Sequence, residues 1–219
     1  MKALIIAIDG PSGAGKGTVA RAIASALGYR HVDTGAMYRA VGWKALSDGI
    51  PLDEEAAVAG LATAADVVVE GGVVSIDGHD VTRAIRTPEI DRAAAAVARL
   101  PRVREILVAR QRTLGSAGGV VMEGRDIGSV VFPGADVKIY LDASAAERAR
   151  RRANDPLHTG GQAGTQAVAA SIAARDQSDA TRTASPLTIA DGAVYIDTTE
   201  LPVEQVVERV MTLVRQRSL

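Results

Sequence analysis

Gly10-Pro11-Ser12-Gly13-Ala14-Gly15-Lys16-Gly17-Thr18 is the stretch on which the reading of this chain turns. It follows the apolar run Leu4-Ile5-Ile6-Ala7-Ile8 and precedes Val19-Ala20-Arg21-Ala22-Ile23-Ala24. Strand, glycine-rich loop, helix is the context a phosphate-binding loop requires. The glycines let the backbone curl without a Cβ clash, so successive N–H groups can point at phosphate oxygens. The helix that starts at the lysine adds its positive end, and Lys16 adds a full charge. A glycine turn beside a surface lysine is the plain alternative; the flanking strand and amphipathic helix argue against it. Gly17 stands directly after the lysine, where a Ser or Thr commonly holds magnesium, and the hydroxyl comes one residue later at Thr18. No residue is therefore assigned as a direct magnesium ligand.

Around this loop, short apolar runs alternate with amphipathic segments. Leu4–Ile8, Tyr29–Val32, Val120–Glu123, Val137–Leu141 and Ala193–Asp197 read as strands. Thr18–Leu27, Ala36–Leu46 and Pro202–Arg217 read as helices. The alternation predicts an α/β fold with a central parallel, doubly wound sheet flanked by helices. Ligands in such sheets sit beyond the carboxyl ends of the strands, so Asp9-Gly10, Asp33 and Glu123 should converge there. Two segments break the pattern. Val67–Val81 reads as a hairpin about Gly71-Gly72 with a second turn at Asp77-Gly78, a three-stranded insert too small to stand alone. Asn154–Thr165, with Pro156, Gly160-Gly161 and Gly164, reads as a loop between arginine-bearing helices, the centre of a short lid.

Composition narrows the function classes. At 219 residues the chain can bury one sizeable core with small insertions. A net charge of −1 gives no bulk attraction to nucleic acid or membrane, and 3% aromatic residues leave little for base-stacking platforms. The absence of cysteine excludes disulfides, thiolate metal sites and a cysteine nucleophile, and it fits a cytoplasmic location. The first apolar run is short and ends in Asp9-Gly10, so no secretory leader is expected; no run approaches a membrane span. His31, His79 and His158 have no metal-ligand spacing and read as structural or surface residues. A Ser-His-Asp hydrolase would lack its nucleophile elbow.

Three further groups carry chemistry. In Asp33-Thr34-Gly35-Ala36-Met37-Tyr38-Arg39, Arg39 lies one turn into a helix, where it could meet a second phosphate; an N-cap and an ordinary helix explain the same residues. In Glu123-Gly124-Arg125-Asp126 a strand ends, and a cation and an anion leave it together; a surface ion pair is the alternative. Carboxylates beside a phosphate loop are costly unless a cation or ligand amine compensates them. Arg148, Arg151 and Arg152 precede the glycine-rich loop, and Arg175, Asp179 and Arg182 follow it. Their spacing of four, then three, predicts one helical face, a cationic stripe able to close over a transferring phosphoryl group. A solvated basic face is the alternative.

Taken together, these motifs are similar to those of bacterial cytidylate kinases, within the nucleoside monophosphate kinase group of P-loop proteins, from end to end. The Gly-Lys-Gly-Thr loop ending is shared across that group. The more specific matches are the Asp33–Arg39 run, Ile85-Arg86-Thr87-Pro88-Glu89, Leu100-Pro101-Arg102-Val103-Arg104-Glu105, Gly124-Arg125-Asp126-Ile127-Gly128 and Lys138-Ile139-Tyr140-Leu141-Asp142-Ala143-Ser144. The insert also matches the enlarged monophosphate-binding region of that family.

The resemblance implies one domain: a core of residues 1–35, 118–150 and 185–219, a monophosphate-binding region of about 36–117 and a lid of about 151–184. It implies MgATP on Gly10–Thr18, with Arg148 and Arg152 alongside, and CMP or dCMP in the facing cleft with Asp33 and Thr34. Arg39 and Arg125 would hold the CMP phosphate, Arg104 and Asp126 would face cytosine, Arg175 and Asp179 the ribose, and Arg182 the phosphates. Lys16, Arg125, Arg175 and Arg182 are the expected catalytic set. The implied setting is pyrimidine metabolism in the cytoplasm, with small nucleotides as partners; composition argues against nucleic acid and membrane, and with no long apolar surface helix evident a monomer is expected. Three departures stand out: Ala95 where many members have a serine near the base, Glu123 where Asp is frequent, and Ser129 for a frequent threonine. The alternatives are another small P-loop kinase, with UMP or another acceptor, and a nucleotide-dependent switch protein. The switch would need no acceptor, and the chain lacks an Asn-Lys-x-Asp guanine signature.

Overall fold

The computed structural model describes residues 3–156, 164–182 and 184–217. His158 and most of the loop expected at Asn154–Thr165 lie outside the described residues. The chain runs β1 (Ile5–Asp9), α1 (Lys16–Leu27), β2 (Arg30–Asp33), α2 (Thr34–Ser47), α3 (Glu55–Ala64), then β3 (Val67–Glu70), β4 (Val73–Ile76) and β5 (His79–Asp80). It continues through α4 (Pro88–Val97), α5 (Pro101–Gly115), β6 (Val120–Gly124), β7 (Val137–Asp142), α6 (Ala145–Ala153), α7 (Thr165–Thr181), β8 (Val194–Asp197) and α8 (Val203–Arg217). A single π-type turn, Ile127–Val131, follows β6.

Five strands form one parallel sheet in the order β2-β6-β1-β7-β8. β1 and β6 are buried almost throughout, as their unbroken apolar runs require. The chain leaves β1 toward β2 and β6 on one side and returns as β7 and β8 on the other. The end of β1 is therefore a topological switch point, where a crevice opens. The register aligns Asp9 with Gly124 and Asp33 with Glu123, so the three strand ends converge as their positions in the sequence imply. On one face, Ile6, Ile8, Val121, Ile139 and Leu141 pack with Val19 and Ile23 of α1 and Val206, Val210 and Val214 of α8. On the other, Ala7, Val32, Val120 and Met122 pack with Val108 of α5 and Ile127 and Val131 of the π-type turn.

The insert is a separate antiparallel sheet, β3-β4-β5, with both turns where the glycines predict them. Val74 and Ile76 bury against Ala36 and Ala40 of α2 and Ile90 of α4. The segment expected as a lid buries little apolar surface. Ala149 of α6 and Val168 and Ile172 of α7 make its buried apolar cluster. So little apolar area leaves the pairing of α6 and α7 dependent on ionic contacts and gives this segment low local stability. One detail differs from the single helical face expected for Arg175, Asp179 and Arg182. α7 ends at Thr181, and Arg182 is its C-cap with extended backbone, its N–H donating to Ser178. α6 runs unbroken through Arg150 and Arg151, so the arginine-bearing segment is continuous with the core.

Candidate active site

The phosphate loop is built by close approach. Gly10 has φ +145°, and a Cβ there would lie 1.9 Å from the Leu141 carbonyl oxygen; one at Gly13 would lie 2.8 Å from the Arg148 carbonyl oxygen. Glycine is therefore required where β1 turns into the loop and where α6 crosses it. α1 begins at Lys16 with Gly15 as its left-handed N-cap, and no side chain caps its free N–H groups. Those N–H groups, the helix dipole and Lys16 form an anion cradle. Lys16 is 7% exposed and its Nζ donates to the Pro11 carbonyl at 2.7 Å. Burial, then Arg125 and Arg175, hold its pKa well below the usual lysine value, against the pull of Glu123 and Asp9. A buried cation with two further guanidiniums close by is a site that gains from a polyanion.

This loop opens into a cleft of about 850 Å³ lined by Ser12–Val19, Asp33, Arg39, Arg86, Glu123, Arg125, Arg151, Arg152, Arg175 and the Thr198–Val203 turn, among others. Arginines of α6 reach the phosphate loop directly. Arg148 Nη1 donates to the Ser12 carbonyl at 3.2 Å and also pairs with Asp176, which ties α6 to α7. Arg152 Nη2 donates to Ser12 Oγ at 3.0 Å. Arg151 donates to the Thr198 hydroxyl at 2.9 Å and its carbonyl at 2.6 Å, closing the far end of the cleft.

On the other side, Asp33 caps α2 by accepting from the Ala36 N–H at 3.0 Å, so the capping reading of that motif is true. The same carboxylate pairs with Arg86 at 3.2 Å. Burial alone would raise its pKa, but Arg39, Arg86, the Ala36 N–H and His31 together hold it at about 2. A folded-state value below the unfolded one, about 3.9, means that ionised Asp33 stabilises the fold above about pH 4 and that this contribution is lost as pH falls toward 2. The expected size is about 2 kcal/mol. Asp33→Asn keeps a competent cap, so its unfolding free energy, followed by urea titration, should be lower at pH 7 and fall less steeply than the parent's between pH 4 and 2. Parallel acid limbs would rule this out. Thr34 hydroxyl donates to the Glu123 carbonyl at 2.7 Å and so ties α2 to the end of β6.

Beyond the cleft wall an alternating chain of ions is buried. Arg125 Nε donates to Asp179 at 2.8 Å; Arg175 and Arg182 approach the same carboxylate at 4.0 and 3.9 Å. Arg104 pairs with Asp126, whose second oxygen faces Arg182 Nη2 at 3.7 Å. Arg104 also lies over the Tyr38 ring at 5.8 Å. Arg104 and Asp126 are 3% and 6% exposed. Nearby, Arg104 Nη1 and Arg182 Nη2 are buried without a hydrogen-bond partner among the described residues. Buried polar atoms of this kind suit a heteroatom-rich ligand. Arg104 and Asp126, both expected at the base, thus stand together, as do Arg175 and Asp179, expected at the ribose, and Arg39 and Arg125 both line the cleft. Arg182, expected at the phosphates, stands in this conformation between Asp126 and Asp179, its Nε bonded to the Ser185 carbonyl at 2.6 Å.

Three participants carry no chemical signal in the sequence. Asp91 looks like an ordinary acidic residue in the first turn of α4, yet Arg39 and Arg175 both reach it. Arg86 sits inside a quoted motif without an evident role. His31, read as structural, accompanies Glu123 at 2.9 Å, and Glu123 lies beside the phosphate loop, 3.0 Å from where a Gly17 Cβ would be. Only the register of β2 on β6 signals that pair.

A parallel sheet with the β2-β6-β1-β7-β8 order, a glycine-lined anion cradle and converging arginines from three elements define a P-loop phosphotransferase. Comparison with known proteins makes the class specific. The family model for cytidylate kinase matches residues 6–216, and the chain belongs to that family of nucleoside monophosphate kinases. A cytidylate kinase of Solibacter usitatus is 46% identical over 99% of this chain and 94% of its own length. One of Desulfitobacterium hafniense is 48% identical over 97% and 93%. Among solved structures, a gluconokinase from Sinorhizobium meliloti superposes with a TM-score of 0.53 at 17% identity, covering 99% of this chain and 95% of that one, a likeness of fold. Among the described residues, no helix is long and apolar enough to cross a membrane.

Proposed function

We propose that this kinase transfers the γ-phosphoryl group of MgATP to CMP or dCMP, giving ADP and CDP or dCDP, with the two nucleotides on opposite sides of the cleft. The observation that carries the division of labour is the buried Arg104–Asp126 pair, set apart from the cationic phosphate cleft. A carboxylate at that depth recognises a group that donates hydrogen bonds, and the exocyclic amine of cytosine does so where uracil presents an oxygen.

ATP would lie on Gly10–Thr18, its phosphates on the loop N–H groups, Lys16, Arg148 and Arg152, with the Arg151–Thr198 end of the cleft left for its base. Magnesium would be held by phosphates and water and would spread the polyphosphate charge. The monophosphate would meet Arg39 and Arg125, with Arg175 and Asp179 at the ribose. A phosphate oxygen of CMP attacks the γ-phosphorus in line as the bond to the ADP oxygen breaks. The protein contributes position and charge neutralisation rather than a covalent intermediate. Arg125 and Arg175 reach the space between the two nucleotides from the core and the lid, so lid closure completes the cationic ring and excludes water. The regions 36–117 and 151–184 are the moving parts in this reading, the chain acts as a monomer, and a cytoplasmic nucleotide pool is its setting.

The test is ADP release from the purified protein with MgATP and, in parallel, CMP, dCMP, UMP, AMP or no acceptor. Turnover with CMP and dCMP, little with UMP and none without acceptor is expected. Equal CMP and UMP rates would remove the base-recognition role of Asp126 and point to Ala95 as a loosened base site. Acceptor-independent hydrolysis alone would overturn the substrate assignment.

A further inference from the structure

Asp91 lies in α4, a helix of the monophosphate-binding region, and is 8% exposed. Arg39 Nε of α2 donates to its Oδ1 at 2.9 Å, and Arg175 Nη1 of α7 donates to the same oxygen at 3.0 Å. Arg152 Nη2 of α6 stands 3.6 Å from its Oδ2. One carboxylate thus collects three guanidiniums from three helices, two of them in the lid. A capping or dipole role for an acidic residue in the first turn of α4 would need none of these contacts. Burial, with Arg39 and Arg125 close by, holds Arg175 down at about 10, while against its own burial Arg39 is raised by Asp91 and Asp33. Arg39 and Arg152 would repel across the same space, and burial together with that repulsion lowers Arg152 against the pull of Asp91.

We propose that Asp91 is a positioning residue of the phosphate site: it gathers Arg39, Arg152 and Arg175 on one carboxylate before nucleotide arrives and thereby fastens the lid helices to the monophosphate-binding region. The proposal rests on the reading above for the phosphate that these arginines later share. Arg39 uses Nε and Arg175 a single Nη1 on Asp91, so each keeps further N–H groups for a ligand. Asp91 therefore holds the guanidiniums at the geometry a phosphate needs, and the repulsion among them is offset before binding rather than during it. The apolar cluster between α6 and α7 is thin, so this ionic tie acts with Arg125–Asp179 and the Arg148, Arg151 and Arg152 contacts to the core as a restraint on lid position.

The chain has no cysteine, so two can be introduced for spin labels, Arg92→Cys on α4 and Ala173→Cys on α7, both exposed. Pulsed electron-resonance distances are then measured on the full chain without nucleotide. The labelled parent should give one short, narrow distribution. Asp91→Asn, nearly isosteric but uncharged, should give a longer, broader one, and added inorganic sulfate should restore the short distance by standing in for the carboxylate. In unlabelled protein the same substitution should lower kcat/KM for CMP by about 10- to 100-fold, the scale of a small misplacement of catalytic groups. An unchanged distance in Asp91→Asn overturns the fastening whatever the acceptor proves to be, because no substrate is present. A lengthened distance that sulfate does not shorten overturns the charge-gathering role, and a lengthened distance with unchanged CMP kinetics overturns the positioning role. Asp91→Ser carries the same test should Asp91→Asn not fold.

Discussion

Lys16→Met is expected to lower kcat by about 10²- to 10³-fold, the loss typical when a preorganised charge donor to the transition state is removed. Methionine fills nearly the volume of the lysine stem, and the position is almost fully buried among Arg125, Arg175, Glu123 and Asp9. Removing a cation already held below its usual pKa by burial and by Arg125 relieves repulsion in the free protein, so thermal stability should hold or rise while turnover collapses. That opposition separates a catalytic role from a structural one. The measurement is kcat with saturating MgATP and CMP beside the unfolding midpoint of the same preparation. Near-normal turnover would sink the assignment of the phosphate loop. A fall in both quantities would place Lys16 in the scaffold instead.

The second large effect concerns the acceptor base. Asp126→Asn should lower the CMP-to-UMP ratio of kcat/KM by about 10- to 100-fold, since one buried hydrogen bond to a charged group is gained or lost at about 1–3 kcal/mol. Of the two Asp126 oxygens, one is engaged by Arg104 and the other faces Arg182 at 3.7 Å, so the second is the one with capacity to accept from an amine. An asparagine amide placed there donates instead and suits a uracil carbonyl. The substitution also leaves Arg104 and Arg182 buried with less countercharge, which should destabilise the protein by about 3–5 kcal/mol if neither side chain rearranges. Competition between CMP and UMP in one reaction, at a temperature where both proteins are folded, reads the specificity term alone. A ratio that does not move would remove Asp126 from base recognition and leave it a purely structural ion.

Both experiments bear on how the site is held together. Arg39, Asp91, Arg175, Asp179 and Arg125 alternate in sign across α2, α4, α7 and the end of β6, and Arg182, Asp126 and Arg104 extend the alternation. A network of this kind is coupled, so single substitutions along it should be non-additive.

Much of this was legible from local sequence because the physics is local. The Gly10–Thr18 loop needs glycine at left-handed positions and a helix to follow, and both requirements are met within one short segment. The parallel sheet follows from unbroken apolar runs alternating with helices, and the insert from its Gly71-Gly72 and Asp77-Gly78 turns. The convergence of Asp9, Asp33 and Glu123 follows once those strands are parallel neighbours, since such strands end on one edge. Arg104, Arg125, Asp126, Arg175 and Asp179 could be named from motif resemblance, but not paired. Pairing depends on how α2, α4, α5, α6 and α7 pack, which no window of sequence contains. Asp91 is the clearest case: among alanines it reads as a helix-start residue, and only the meeting of α4 with α2, α6 and α7 surrounds it with guanidiniums. Arg182 is another, since the end of α7 at Thr181 turns its side chain toward Asp126. Strand, loop and helix were determined by short-range sterics and hydrophobic period. The identity of each charge's partner was decided by tertiary packing, because ionic contacts act through space between residues tens of positions apart.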